Sequence, residues 1–189
     1  MKRIISLQKI GEIDKIILLK LKKNLEWVLK DYIEGVEIMK DEIPLAEENY
    51  DSARRQYNAS LVIKDLIDYI GKRRYFRILG IMDKDIFSTP LNFVFGIAFM
   101  PKGLNPRVAL ISTTRLDEKF YRREDDQAIF ELRVLKEAIH ELGHTFGLEH
   151  CDEGCIMRFS NTLQHTDEKP PKFCERCEKK LNMFFSELK

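Results

Sequence analysis

One short segment of the chain combines residue types that bind a metal ion and move a proton. His140-Glu141-Leu142-Gly143-His144 has the pattern H-E-x-x-H, and residues four apart project from the same face of a helix. Two imidazoles on one face can bind one Zn²⁺ at about 2.0–2.1 Å each. Glu141 lies too far round the helix to join them as a ligand, but its carboxylate can accept a proton from a water on the metal. The pattern therefore predicts a hydrolytic zinc site.

A third ligand follows at a spacing that returns the chain to the same metal. Gly147 can end the helix because glycine adopts positive φ without the steric cost that other residues incur, and His150 comes three residues later. Three protein ligands leave the fourth position for water, which is typical of a catalytic rather than a structural zinc. The short motif alone carries a false-positive risk, which the matching Gly147 and His150 greatly reduce. The remaining histidine, His165, is interpreted as a surface residue.

All four cysteines of the chain lie in its last forty residues, at Cys151, Cys155, Cys174 and Cys177. In a cytoplasmic chain, which we expect here, such a set favours a metal site over two disulfides. Disulfides remain the alternative, because intracellular proteins of hyperthermophiles do contain them. Four thiolates bind Zn²⁺ tetrahedrally at about 2.3 Å, and closed sites of this kind stabilise segments that lack a core. The last forty residues are accordingly interpreted as a small lobe held by something other than a core.

The elements that must position these residues follow from hydrophobic periodicity. A long helix is predicted from about Asp125 to residue 146, with acidic residues in its first turn, where the helix dipole favours them. Its predicted apolar stripe consists of Ile129, Leu132, Leu135, Ile139 and Leu142. Upstream, helical spacing indicates two more helices, over residues 13–29 and up to a stop at Gly71. Strands are predicted at Arg3–Leu7, Val36–Met39, Tyr75–Met82 and Arg107–Ser112.

A fifth strand is predicted at Asn92–Met100, where large and small residues alternate. Its large face would hold Phe93, Phe95, Ile97 and Phe99, and its small face Val94, Gly96, Ala98 and Met100. Gly96 on the small face would let another backbone come close. An ordinary buried strand explains the same pattern equally well. The alternation of strands and helices predicts an α/β (α+β) fold.

The full motif H-E-x-x-H-x-x-G-x-x-H, followed closely by Met157, resembles the metzincin metallopeptidases. In that group such a methionine forms an apolar floor beneath the metal; a generic core methionine is the alternative. The cysteines narrow the resemblance to the archaemetzincin family, over Glu137–Cys177. Cys151 directly follows the third histidine, Cys155 stands two residues before Met157, and a C-x-x-C pair comes later.

The resemblance implies two zinc ions per chain, a catalytic one on the histidines and a structural one on the cysteines. It also implies a twisted mixed sheet with packed helices as an upper subdomain (about 1–147). A small cysteine-clamped lower subdomain (about 148–189) would complete a single catalytic domain of residues 1–189. Metzincins bind an extended peptide along the edge strand of the sheet, and the matching positions here are Phe95, Gly96 and Ile97. The physical basis is main-chain strand addition.

Composition excludes several other classes of function. The 189 residues are 44% hydrophobic, enough for a core, and 32 basic against 31 acidic residues leave a net charge of +1. This balance disfavours a nucleic-acid partner, and with it a zinc-ribbon nucleic-acid binder built on the cysteines. No apolar stretch approaches the ~20 residues of a membrane helix, and the N-terminus does not resemble a signal peptide. We expect a cytoplasmic monomer with no membrane partner.

The predicted function is zinc-dependent hydrolysis of a peptide or protein substrate, with Glu141 as general base. Many metzincins carry a tyrosine soon after the methionine, and this chain has none after Met157. A catalytically weak or inactive zinc protein that binds peptides is therefore the alternative. An aminopeptidase would need an acidic residue near the cleft, for which Glu149 and Asp152 are the candidates.

Overall fold

A five-stranded mixed sheet organises the chain in a computed structural model that describes residues 2–71, 73–99 and 107–188. The strands and helices, in chain order, are β1 (Ile4–Ile10), α1 (Lys15–Val28), β2 (Gly35–Ile43), β3 (Tyr50–Asp51), β4 (Gln56–Asn58), α2 (Ala59–Ile70), β5 (Arg77–Met82), β6 (Ile86–Phe87), β7 (Gly96–Ala98), β8 (Val108–Ser112), α3 (Gln127–Thr145), α4 (Leu163–Glu168) and α5 (Glu175–Glu187). The main sheet has the order β2-β1-β5-β8-β7. Its first four strands are parallel, and β7 runs antiparallel to β8 at the edge.

Helices cover both faces of this sheet, as its buried parallel strands require. Alternate strand residues such as Leu7 and Leu79 pack with α1 and α3 in one core, which we call the α3-side core. The residues between them, such as Ile78 and Leu110, pack with α2 in the α2-side core. The mixed α/β fold is confirmed. A small second sheet, in the order β3-β4-β6, was not predicted because its strands have only two or three residues each.

Helix α3 carries the predicted metal-binding motif and begins close to the predicted point. Asp126 caps it, since its side chain accepts a hydrogen bond from Ile129 N at 2.9 Å. The apolar stripe is only partly as predicted, because Ile129 and Leu132 are 39% and 41% exposed. The helix instead turns Phe130 and Val134 toward α1 and the core.

Strand β7 is shorter than the predicted strand, with only Gly96–Ala98 paired to β8. The predicted residue Met100 lies outside the described residues. The assignment of Phe93, Phe95 and Ile97 to one face is wrong, because the two phenylalanines pack with the α3-side core and Ile97 packs with the α2-side core. Strict alternation requires a continuous strand, and residues 93–95 precede the regular part.

The C-terminal helix α5 contributes to the main core, contrary to the prediction of a lobe without one. Leu181 and Phe185 are buried in the α3-side core, and the Phe185 ring lies 5.1 Å from that of Phe146. Cys151, Ile156 and Met157 join the same cluster. None of the described helices is long and apolar enough to cross a bilayer.

Candidate metal centre

The last turns of α3 hold His140 and His144 with their rings already oriented. His140 Nδ1 donates to Ile156 O at 2.9 Å, and His144 Nδ1 donates to Leu148 O at 2.8 Å. These bonds fix the tautomer and leave each Nε2 free to bind a metal. The two Nε2 atoms are 3.2 Å apart. Two nitrogens on one tetrahedral zinc stand about 3.3 Å apart, so this spacing fits the ion.

His150 completes a group of three imidazoles. Gly147, with φ of 85°, follows the end of α3, and Leu148 N donates to Gly143 O at 3.0 Å as the chain turns. The metal-binding atoms of the three histidines all lie within 4.8 Å of one another. Burial lowers the pKa of His144 to about 4 and that of His140 well below its usual value. Both rings are therefore neutral near pH 7, which is the form that binds zinc.

Glu141 stands beside this group as a buried carboxylate with an unsatisfied oxygen. The residue is 4% exposed, and its Oε2 has no hydrogen-bond partner among the described residues. Burial raises the pKa of Glu141 well above its usual value, and the nearby Glu137 raises it further. A bound cation next to this carboxylate would offset that cost, so the donor set suits a divalent ion with an adjacent base.

An open cavity of about 560 Å³ gives access to the three histidines and Glu141. Its walls come from α3, from residues leading into and forming β7, and from the loop Phe159–Asn161. Glu149 also lines it, whereas Asp152 is not among the lining residues. The Phe159 ring packs 5.0 Å from that of His150, so one side of the third imidazole faces an apolar surface.

Met157 lies directly below the turn of α3 that carries the two histidines. It is fully buried, and a Cβ added at Gly143 would overlap its Sδ atom. Met157 O accepts a hydrogen bond from Cys151 N at 3.0 Å, which joins it to the residue after His150. The methionine thus contacts the segment between the two helical histidines.

The four cysteines form a second cluster with the spacing of a tetrahedral metal site. Their Sγ atoms all lie within 4.8 Å of one another, and those of Cys151 and Cys174 are 3.7 Å apart. Four thiolates at about 2.3 Å from one zinc would stand about 3.8 Å apart. All four are free thiols here, so the disulfide alternative finds no support. The backbone N–H groups of Met157 and Cys174 point to Cys155 Sγ at 3.5 and 3.3 Å.

The structure also reveals residues at the cavity that sequence reasoning missed. Glu137 lines the cavity and pairs with Lys169 at 3.3 Å, both fully or almost fully buried. Glu137 could have been found, because it lies one helical turn before Glu141 on the same face. Its partner could not, since Lys169 is 32 residues away. His165, interpreted as a surface residue, is half-buried in α4 and accepts a hydrogen bond from Asn161 N at 3.3 Å.

A three-histidine cluster beside a buried carboxylate, at the open edge of an α/β sheet, defines a zinc-dependent metallopeptidase. Residues 1–183 match the sequence model of peptidase family M54, and the chain belongs to that family, which includes the archaemetzincins. This chain is 37% identical to the archaemetzincin of Pyrococcus furiosus over 184 residues, 96% of this chain and 93% of the relative. It is 39% identical to that of Methanopyrus kandleri over 154 residues, 81% of each chain.

Solved structures of related proteins share the fold over almost the whole chain. The archaemetzincin from Methanopyrus kandleri has a TM-score of 0.79 at 33% identity, covering 98% of this chain and 96% of its own. The archaemetzincin from Archaeoglobus fulgidus, complexed with malonate, has a TM-score of 0.74 at 31% identity, with 94% and 99% covered. A zinc-dependent peptidase from Methanocorpusculum labreanum has a TM-score of 0.78 at 29% identity, with 95% and 100% covered. The predicted family and the zinc metallopeptidase class are confirmed.

Proposed function

We propose that this chain hydrolyses peptide bonds with Glu141 as general base, next to a zinc ion held by His140, His144 and His150. The observation that carries the proposal is the Glu141 carboxylate, buried with one oxygen unpaired beside three converging imidazoles. A site that only bound a metal would need no such carboxylate. Burial of an unpaired polar group costs free energy, so its retention here indicates a chemical role.

Each residue contributes a defined step. When bound, zinc supplies Lewis acidity toward a peptide carbonyl and makes water more acidic. Glu141 takes the proton from the attacking water and delivers it to the departing amine. The carbonyls of Ile156 and Leu148 hold the rings of His140 and His144 in a single orientation throughout. The cavity walls give a substrate access to the three histidines and Glu141.

The free edge of β7 is the proposed binding site for an extended substrate. Phe95 O accepts a hydrogen bond from Ser112 N, and Phe99 N donates to Val108 O, so these residues face β8. Because the direction alternates along an antiparallel strand, the backbone groups of Gly96 and Ala98 face the open side. The predicted substrate strand Phe95, Gly96 and Ile97 thus supplies one main-chain pairing position, Gly96, and β7 adds Ala98 as a second.

The second metal belongs to the cysteine cluster. We propose a structural zinc held by Cys151, Cys155, Cys174 and Cys177, which gives two zinc ions per chain. Support comes from the 3.7 Å separation of two of the sulfurs and the backbone N–H groups that point to a third. Elemental analysis of the purified protein should find two equivalents of zinc; a single equivalent would contradict the two-site scheme.

The test of function is Glu141→Gln, which keeps the shape of the side chain and removes the base. We expect turnover of a peptide library to fall by about 10²–10⁴-fold, with zinc content unchanged. The matched control is Glu131→Gln on the same helix, because Glu131 pairs with Lys20 away from the cavity. If zinc-loaded Glu141→Gln cleaves peptides as fast as the unmodified protein, Glu141 is not the base. If the zinc-loaded unmodified protein also cleaves no peptide, the alternative of a peptide-binding zinc protein is favoured.

A further inference from the structure

Gly96, on the edge strand, lies directly against the side chain of Glu141. A Cβ built on Gly96 would stand 2.7 Å from Glu141 Cγ and 3.0 Å from its Cδ. It would also stand 2.7 Å from Leu110 O on β8. Separations under 3 Å are well inside van der Waals contact, so no larger residue fits without a shift of α3, Glu141 or β7.

Space, and not backbone conformation, accounts for glycine at this position. The glycines with positive φ among the described residues are Gly11, Gly71 and Gly147, and Gly96 is not one of them. An alanine could therefore adopt the backbone conformation of Gly96, and only its methyl group would conflict. The conflict with Leu110 O is with the backbone of β8 and can be relieved only by a small shift of β7 against its partner strand. The conflict with Glu141 is with a side chain and can be relieved by displacement of that side chain.

Packing constrains the position of the Glu141 carboxylate. Its Oε2 is buried and has no hydrogen-bond partner within residues 2–71, 73–99 and 107–188. Since no donor orients this oxygen, the flat backbone of Gly96 on one side and its own helix on the other constrain where the group lies. A displacement of about 1 Å at a reacting group can lower a rate by about 100-fold.

We propose that Gly96 is a positioning residue, which holds the Glu141 carboxylate at its working distance and places the substrate-binding edge of β7 beside it. The same residue offers its N–H and C=O to the open side of the strand. Gly96 would therefore contact both the substrate backbone and the side chain of the base. This inference rests on the proposed role of Glu141. It adds that the reaction requires the close approach of β7 to α3, which glycine at position 96 permits.

The test compares Gly96→Ala with Gly80→Ala. A Cβ at Gly80 on β5 would meet Ile10 Cδ1 at 2.7 Å and Leu66 Cδ2 at 3.0 Å, which are side-chain ends in the α2-side core. Both variants strain the same sheet, but only Gly96→Ala touches Glu141. We expect Gly96→Ala to lower kcat by about 100-fold with KM changed less than threefold and zinc content intact. Gly80→Ala should lower the unfolding midpoint and keep kcat.

A double variant separates positioning from general damage. In the Glu141→Gln background, whose base is absent, Gly96→Ala should lower the residual kcat less than threefold further. An equal loss in both backgrounds, or unchanged kcat in Gly96→Ala alone, overturns the proposal. If Gly96→Ala fails to fold, Glu141→Ala should restore folding by making room. Failure of that rescue would show that the conflict is with Leu110 O, and would also overturn it. Loss of activity in Glu141→Gln is measured separately, so failure of the proposed function is distinguishable.

Discussion

At the scale of single residues, two glycines, which have no side chain, allow the metal-binding helix to approach its neighbours closely. Gly96 admits the Glu141 side chain, and Gly143 admits the sulfur of Met157. Both contacts join residues that are far apart in the chain or lie on different elements. Neither glycine has positive φ, so both are explained by close approach and not by turn geometry.

Gly143→Ala is expected to displace Met157 from beneath the two helical histidines. The methionine is fully buried and has no solvent-facing position to occupy. Overpacking of this kind costs about 1–3 kcal/mol, which the better helix propensity of alanine offsets by about 1 kcal/mol. We expect a lower unfolding midpoint together with weaker zinc retention, measured by thermal unfolding and dialysis against a weak chelator.

Gly154→Ala is the matched control for that substitution, because a Cβ there meets no atom within 4 Å. It should leave both the midpoint and zinc retention unchanged. A Gly143→Ala protein that is more stable than the parent and holds zinc equally well would show that Met157 moves aside freely.

Residue types and spacing predict the chemistry of this site but not its packing. His140, Glu141, His144 and His150 were identified because a helix and one turn relate them locally. The Gly96–Glu141 contact spans 45 positions and depends on the order of strands in the sheet. No local pattern encodes that distance, so only the folded chain reveals it.

At the scale of elements, charged side chains of α3 fasten the segment that contains α4. Arg133 forms two hydrogen bonds to the Asp167 carboxylate at 2.6 and 2.7 Å, and Lys136 donates to Thr166 O and Asp167 O. The buried ion pair Glu137–Lys169 is a further contact between α3 and the end of this segment. Lys172 O then accepts a hydrogen bond from Ile156 N, whose own carbonyl orients His140. The contacts between α3 and the segment that contains α4 therefore help, through Ile156, to hold the His140 ring in position.

Lys169→Met should destabilise the protein strongly, because it leaves the Glu137 carboxylate buried without its partner. Removing one member of a buried ion pair costs about 3–5 kcal/mol. Chemical unfolding should detect this loss, and a second substitution, Glu137→Leu, should recover most of it. The exposed pair Lys64–Asp68 provides the control, since Lys64→Met should change stability little. A small effect of Lys169→Met would mean that the Glu137 carboxylate reaches water in the absence of its partner.

Prediction of helices and strands succeeded for long elements and failed for short ones. The nineteen residues of α3 give five turns of apolar periodicity, so its position was predicted to within two residues at each end. Strands β3 and β6 have two residues each, too few to show alternation. Helix α4 has six residues and was missed for the same reason.

At the scale of the whole molecule, the two candidate metal sites and the C-terminal helix meet in one core. The α3-side core runs from β1 and α1 through Met157 and the cysteines to Phe185. The sequence suggested that metal replaces a core after residue 148, because cysteines dominate the composition there. The spacing of Leu181 and Phe185, one helical turn apart, was the available sign that α5 is amphipathic and packs against the core.

This continuity predicts that metal removal loosens the last forty residues unevenly. The amides of Met157 and Cys174 point to Cys155 Sγ, so their protection depends on the cysteine cluster, whereas the later turns of α5, beyond Cys177, are held by Leu181 and Phe185. A metal at 100 times its Kd contributes about 2.7 kcal/mol, so hydrogen exchange at the two amides should accelerate about 100-fold after chelation. Exchange in the later turns of α5, around Leu181 and Phe185, should change much less, and restored zinc should reverse both effects. Phe185→Ala is the complementary variant, expected to expose α5 with metal still bound. Equal acceleration in the later turns of α5 and at the amides of Met157 and Cys174 would mean that the metal, and not the shared core, holds the helix in place.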